Sequence, residues 1–566
     1  MNSKNFRKQI FLASVIFSII LQGSPAHAKK PRPKSRNVAA APAVARDAER
    51  WWSHVRFLAD DKLEGRNTGS AGHGKAVAYV IEQFRRAGLK PLGTQRFLQP
   101  IKFRTRRILE DQSSLALVRD GKTEPLKLGD DATFNMRIEA AQTVEAPLVF
   151  AGYGLSIPEV KYDDFNGLDV RGKVVVYLSG GPPDVPGPLL SHYQSTAERW
   201  TLLKRLGAVG AVVIQNPKNT DIPWERSTLA RLQPSMALAD ASLDDTAGQK
   251  LSVTINPARA ERFFAGTPHT FKELLARADE RKPLPTFSLP ASIRATVRAE
   301  QTDLESPNVV GVLEGSDPKL KNEYVVLSAH LDHLGVGQPI KGDGIYNGAM
   351  DNASGIASLI EVAAKLRESK TKLRRSVIFL AVTAEEKGLL GSKYYAAHPT
   401  VKPSSIVANL NMDMFLPLFP LRILTVYGLD ESDMGADARE VGASLGLTVQ
   451  ADPEPERNSF IRSDQYSFIR RGVPALALKV GYLKGSPEAA IGAKWRAERY
   501  HAPSDDLQQP VDVEAAVAFN RVLSMITERI ANRTARPRWN DKSFFRRFAP
   551  TTSGTQTTAT RLSIRN

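Results

Sequence analysis

The chain has 566 residues, with 77 Lys and Arg against 60 Asp and Glu for a formal charge of +17, and 42% of it is hydrophobic, enough for more than one core. It contains no cysteine, which excludes disulfides, thiolate metal sites, cysteine nucleophiles and cysteine-linked lipid. The basic balance leaves nucleic acid, anionic membrane and acidic polymers open as partners until its location is known.

Residues 1–28 have the layout of a cleaved secretory signal: Lys4, Arg7 and Lys8, an apolar run from Ile10 to Leu21, then Ala26-His27-Ala28. The apolar run is too short to span a bilayer, so a soluble periplasmic or extracellular protein is expected. Residues 29–46 read as a flexible basic leader and residues 534–566 as a disordered tail. Three basic residues lie in 1–28, five in 29–38, and eight against one acid in 531–566, which leaves +2 for residues 39–530. A nearly neutral body argues against nucleic acid as a partner. It leaves weak contact of the two tails with an anionic envelope surface as the use of the charge.

From Asp47 to about Pro100 the pattern is helical. Val55, Leu58 and Ala59 form one apolar stripe, and Val77, Val80, Ile81 and Phe84 form another, ended by Gly88. Leu63 to Ser70 is a turn-rich connector between them. The middle block has short β-like runs split by Gly, Pro and Asp, the clearest being Ala146 to Ala151, Lys173 to Leu178 and Ala208 to Ile214. Its His192 and His269 have no ligand-like spacing. From Asn308 onwards strands alternate with helices. The strands are Tyr324 to Ala329, Val377 to Thr383, Ile406 to Leu410, Ile423 to Tyr427 and Pro474 to Lys479. The helices are Gly355 to Leu366, Leu390 to Ala397 and Val513 to Ile530. This order predicts an α/β fold, a sheet sandwiched by helices on both faces.

In such a sheet, chemistry gathers beyond the carboxyl ends of strands. His330-Leu331-Asp332-His333 follows the first strand of this block, Glu385-Glu386 the second, and Asn411-Met412-Asp413 the third. Asp351-Asn352 precedes a helix, and Tyr500-His501 lies in a late loop. Singly, each has an ordinary explanation: a hydrogen-bonded histidine, a solvated acidic pair, an N-cap. Together, imidazoles and carboxylates at one edge suit zinc or a similar transition metal.

These segments resemble the co-catalytic di-zinc aminopeptidases of metallopeptidase family twenty-eight. The likeness is carried by Ser328 to Gly335, Asp343 to Gly355, Ala384 to Ser392, Asn411-Met412-Asp413 and Tyr500-His501, with Leu58 to Ser70 similar to the family's N-terminal segment. Gly152-Tyr153-Gly154, Tyr162 to Phe165 and Gly172 to Val176 resemble the protease-associated domain often inserted in these enzymes. The resemblance implies a mixed sheet of zinc-exopeptidase type split over residues 47–135 and 293–533, with a β-rich protease-associated domain at 136–292.

Carried over by position, the resemblance implies two zinc ions, with cobalt or manganese as substitutes, bridged by Asp351. One is also held by His330 and Asp413, the other by Glu386 and His501. Asp332 is expected to sit behind His330 and fix its tautomer, with Asp505 doing the same near His501. Glu385 is expected to take and return the proton of a metal-activated water, and Tyr500 to donate to the developing oxyanion. The family holds the peptide after the bridging Asp in cis. Met350 departs from the Asp or Asn common before the bridging residue, which implies altered packing rather than lost metal. His333 is close enough to His330 to compete as a ligand, although the resemblance implies a loop residue, and Arg462 with Ser463-Asp464-Gln465 is implied to lie near the substrate. The expected substrates are peptides with a free N-terminus. The alternatives on the same fold are a glutamate-carboxypeptidase-like enzyme, a glutaminyl-cyclase-like enzyme and a non-catalytic binding protein.

Overall fold

The structure is a computed structural model that describes residues 40–550, apart from 221 and 281. The expected signal sequence, most of the leader and residues 551–566 lie outside the described residues. A helix, Ala40–Leu58, takes in the last part of the expected leader.

The four strands Ser376–Val382, Tyr324–His330, Ile406–Asn411 and Ala475–Gly481 run parallel as neighbours at the centre of a ten-stranded mixed sheet. They are apolar nearly throughout because both faces are covered. In Tyr324–His330, Val325, Leu327 and Ala329 face a core shared with the helices Ser354–Glu368 and Val513–Asn532, while Val326 faces a second core under the helix Leu390–Ala397. Phe519 of the long C-terminal helix stacks on Phe415 with ring centroids 4.2 Å apart, both fully buried. Because these strands are parallel, the residues following His330, Val382 and Asn411 emerge at one edge.

Flanking strands differ from the sequence expectation. The first block stops being helical before Pro100: Leu98–Ile108 is a strand, paired antiparallel with Ala299–Leu313 from Leu98↔Val309 to Ile108↔Ala299. Its run of Lys and Arg on the solvent side hides the alternation with Ile101, Phe103 and Thr105, which are buried.

A second, eight-stranded sheet has its own core, with Val174–Leu178, Gly210–Ile214 and Leu251–Ile255 parallel at its middle. Ser114–Arg119, Lys122–Leu126 and Ala132–Phe134, all before the expected boundary at 136, belong to this sheet. Conversely, Ser235–Leu238 leaves it and pairs with Leu98–Ile108 at the edge of the first.

Residues 534–550 are folded rather than part of a disordered tail. Trp539 and Phe545 bury against Phe460, Ile469 and Ala475, and the Trp539 indole donates to the Gly472 carbonyl at 3.0 Å. Trp539 and Phe545, with Phe544 and Phe548 packed beside them, outweigh a composition that is otherwise polar. No helix among the described residues is long and apolar enough to cross a membrane.

Two buried histidines tie the fold to pH. His73 lies between the Ser306 and Thr383 hydroxyls, at 3.4 and 3.3 Å, and burial pushes it down to about 3. His192, 3.0 Å from the Tyr466 hydroxyl, is pushed down to about 4 by burial, with Arg470 and Arg547 adding to it. Both values lie below the ordinary 6.5, so the folded chain takes up fewer protons than the unfolded one. Their contribution is present above about pH 6.5 and is lost as the pH falls toward 4. For His73 this amounts to about 2 kcal/mol between pH 6.5 and 5. Denaturant melts across that range will show a steeper loss in the wild type than in His73→Asn.

Candidate metal centre

The edge formed by the parallel strands gathers the residues the sequence singled out. His330 ends its strand with the imidazole fully buried, its Nε2 3.2 Å from Asp351 Oδ1 and 3.4 Å from Asp413 Oδ1. The other oxygen of Asp351 lies 3.3 Å from His501 Nε2, and His501 is in turn 3.1 Å from Glu386 Oε2. Asp351 therefore stands between two sets of donors. Ligand atoms of His330, Asp351 and Asp413 lie within 4.8 Å of one another, as do those of His333, Asp351 and Glu386. Buried imidazole nitrogens and carboxylate oxygens at this spacing form a donor set of the kind zinc and its neighbours take.

His333 lies in the loop after His330, as expected, but close against the cluster. It is fully buried, its Nδ1 is 2.7 Å from Glu386 Oε1, and its Nε2 has no hydrogen-bond partner. Sequence spacing from His330 says nothing of this loop's turn, which brings His333 back over the cluster.

The supporting groups act mainly through backbone. Asp332 does not orient His330 with its carboxylate; the His330 Nδ1 contact, at 3.1 Å, is to the Asp332 carbonyl. The Asp332 carboxylate instead accepts from the amides of Glu385 and Glu386, at 3.0 and 3.3 Å, and from the Thr68 hydroxyl. It thus fixes the turn that presents both glutamates, where Ala384 holds a left-handed φ of 56°. Asp505, rather than backing His501, accepts from the amides of Met350 and Asp351 at 2.9 and 3.0 Å. The Asp351–Asn352 peptide is cis, and the Asn352 side chain bridges the Met412 carbonyl and the Gly355 amide. Met350 packs fully buried in the main core. Asn411 donates to Ser463 and Gln465, so that segment braces the strand leading to Asp413.

The residue most missed by sequence reasoning is Arg66, inside the connector Leu63 to Ser70. Its guanidinium is fully buried and donates to four carbonyls: Leu331 at 2.9 Å, Leu58 at 3.0 Å, Gly348 at 2.6 Å, and Asn347. It joins the loop after His330 to the loop before Asp351. Gly348 has a φ of 62°, and a Cβ there would meet the Asp351 carbonyl and the His333 ring. Burial lowers Arg66 to about 10, opposed by the carboxylates of Asp505, Asp351, Asp332 and Glu386. The sequence signal was an arginine next to glycine in a turn between two helices, which composition alone reads as solvated.

Electrostatics reflect crowding of acids. Burial, with Asp413 and Glu386 adding to it, pushes the Glu385 carboxyl well above the usual range, against the pull of His330. Glu386 lies well below it: burial raises the carboxyl, but the imidazoles of His501 and His333 outweigh that. Tyr500 packs on His501 with ring centroids 4.0 Å apart, and burial raises its hydroxyl well above the ordinary value. From the second sheet's side of the chain, Arg137 donates to the Glu386 carbonyl at 3.0 Å. Nothing in its neighbourhood of sequence marks it.

Residues 308–527 match the sequence model of Peptidase family M28. This segment belongs to that family. The M28 segment contains His330, Asp351, Glu385, Glu386, Asp413, Tyr500 and His501, while Arg66 and Arg137 lie outside it. The chain is 29% identical over 230 residues to a probable leucine aminopeptidase 2 of Aspergillus oryzae (strain ATCC 42149 / RIB 40), which covers 38% of this chain and 43% of that protein. It is 33% identical over 106 residues to a probable zinc metalloprotease of Pyrenophora teres f. teres (strain 0-1), covering 19% of this chain and 22% of that one. The matched part thus spans less than half the length of either relative. Among solved structures, the aminopeptidase from Aneurinibacillus sp. strain AM-1 superposes with a TM-score of 0.52 at 20% identity, over 88% of this chain and 96% of that one. That likeness establishes a shared fold beyond the M28 segment.

Arg66→Lys keeps the charge but loses the planar fork that holds four carbonyls. It is expected to weaken divalent-metal affinity 10- to 100-fold, as loss of outer support does, in a chelator-competition titration with the far-UV circular dichroism unchanged. Arg66→Ala strands the carbonyls and the acids, at a cost of about 3–5 kcal/mol in denaturant melts.

Proposed function

We propose that this chain is an exported, metal-dependent aminopeptidase that removes the N-terminal residue of peptides. The observation that carries the reading is Asp351 set between two imidazole–carboxylate groups, with a further glutamate, Glu385, facing the adjoining cleft. His330, Asp351 and Asp413 would hold one cation, and Asp351, Glu386 and His501 a second. Zinc suits this mixed nitrogen and oxygen set, with cobalt or manganese able to replace it. His333, through its contact with Glu386, would orient that ligand.

When bound, the cations supply Lewis acidity and lower the pKa of a water toward neutrality. Glu385 accepts a proton from water in the cleft and returns it to the leaving amine. Its raised affinity for a proton among so many acids suits both halves of that task. The Tyr500 hydroxyl, kept protonated by burial, donates to the oxyanion. Glu385 and Asp413 offer negative charge to the substrate's α-ammonium, which favours removal of one residue over internal cleavage. The second sheet is our candidate for the protease-associated module, and Arg137 is its reach toward the centre.

The full chain is expected to release amino acids from aminoacyl anilides, to leave N-acetylated peptides intact, and to stop when a chelator removes metal. Glu385→Gln is expected to lower kcat by about 10²–10⁴ with metal content unchanged by elemental analysis. Cleavage of blocked peptides, or activity indifferent to chelation, refutes the reading.

A further inference from the structure

Two hollows open at the centre, and they differ in size. A cleft of about 830 Å³ runs past Glu385, Glu386 and His501. A pocket of about 100 Å³ begins at Asp413 and Tyr500. On the aminopeptidase reading, which this inference rests on, the larger cleft suits the remainder of a peptide. The smaller pocket suits the one side chain that is released.

That small pocket is not simply apolar. Leu416 and Phe419 form part of its wall, but Lys479, near the end of the strand Ala475–Gly481, brings an ammonium into it. Of the three arginines that line it, Arg457 and Arg496 lie 3.8 and 3.3 Å from Glu454, which also accepts from the Tyr482 hydroxyl at 2.5 Å. Among the described residues, Lys479 makes no hydrogen bond or ion pair, only a contact over the Tyr427 ring at 5.6 Å. Burial lowers its pKa, and Asp413 is the largest influence pulling it back up. Asp413 lines the same pocket and belongs to the proposed metal ligands, so a bound cation would compete with Lys479 for its charge. A cation left without a counter-charge in a partly desolvated pocket is costly, and an incoming carboxylate removes that cost.

We propose that this pocket selects an N-terminal residue with an acidic side chain, glutamate above aspartate, and that Lys479 is the specificity-determining residue. The glutamate preference follows from the apolar wall, which its extra methylene covers before the carboxylate meets the ammonium.

The test compares glutamyl, aspartyl, leucyl and lysyl anilides on wild type, Lys479→Met and Lys479→Glu, with thermal melts confirming folded protein. Wild type is expected to favour the glutamyl over the leucyl substrate at least tenfold in kcat/KM. Lys479→Met should erase that ratio, and Lys479→Glu should shift preference to the lysyl substrate. Titration calorimetry of L-glutamate against L-norleucine gives a readout independent of turnover, with tighter glutamate binding lost in Lys479→Met. A wild type that prefers the leucyl substrate, or a glutamyl-to-leucyl ratio unmoved by Lys479→Met, overturns the proposal. If folded, metal-loaded protein hydrolyses none of the anilides, the aminopeptidase reading itself fails, and the calorimetry alone decides whether the pocket binds glutamate through Lys479.

Discussion

A buried guanidinium organises the centre. Arg66 spends its donors on four backbone carbonyls rather than on the nearby acids, so its charge is felt by Asp332, Asp351, Glu386 and Asp505 without neutralising any one of them. This solves two problems at once. It orders the loops on either side of His330 and Asp351, and it makes a surplus of buried carboxylates tolerable. Were Arg66 paired directly with Asp351 or Glu386, that acid would be lost as one of the proposed ligands.

The same economy appears in the acids themselves. Asp332 and Asp505 each accept from two consecutive amides, so that each fixes a stretch of backbone. The side chains of the proposed centre are then oriented by the chain path. Such an arrangement is preorganised, because little of it has to move when charge develops nearby.

Much of this was legible in the sequence where period and position coincide. Nearly continuous apolar runs from Tyr324, Val377 and Ile406, alternating with helical segments, read as strands covered on both sides, whose polar ends share an edge. Pairing across long separations was not legible. Leu98–Ile108 finds its partner some two hundred residues on, and nothing local distinguishes its charged face from a loop. The roles of His333, Asp332 and Asp505 depended on which atom points where, a fact of loop geometry that residue type does not encode. Arg66 and Lys479 were hidden for a related reason. A basic residue reads as solvated until the neighbours that bury it are known.

The short strand Ser235–Leu238 has a consequence of its own. Both ends of the segment that builds the second sheet pass through the ribbon of Leu98–Ile108 and Ala299–Leu313, side by side, which is the geometry of a removable insert. Yet Ser235–Leu238 caps the outer strand of that ribbon. Without it, Leu98–Ile108 would present a bare row of amides and carbonyls to solvent, open to pairing with another chain. The insert therefore also serves as a seal, and the first sheet has become dependent on a module that topology alone would call detachable.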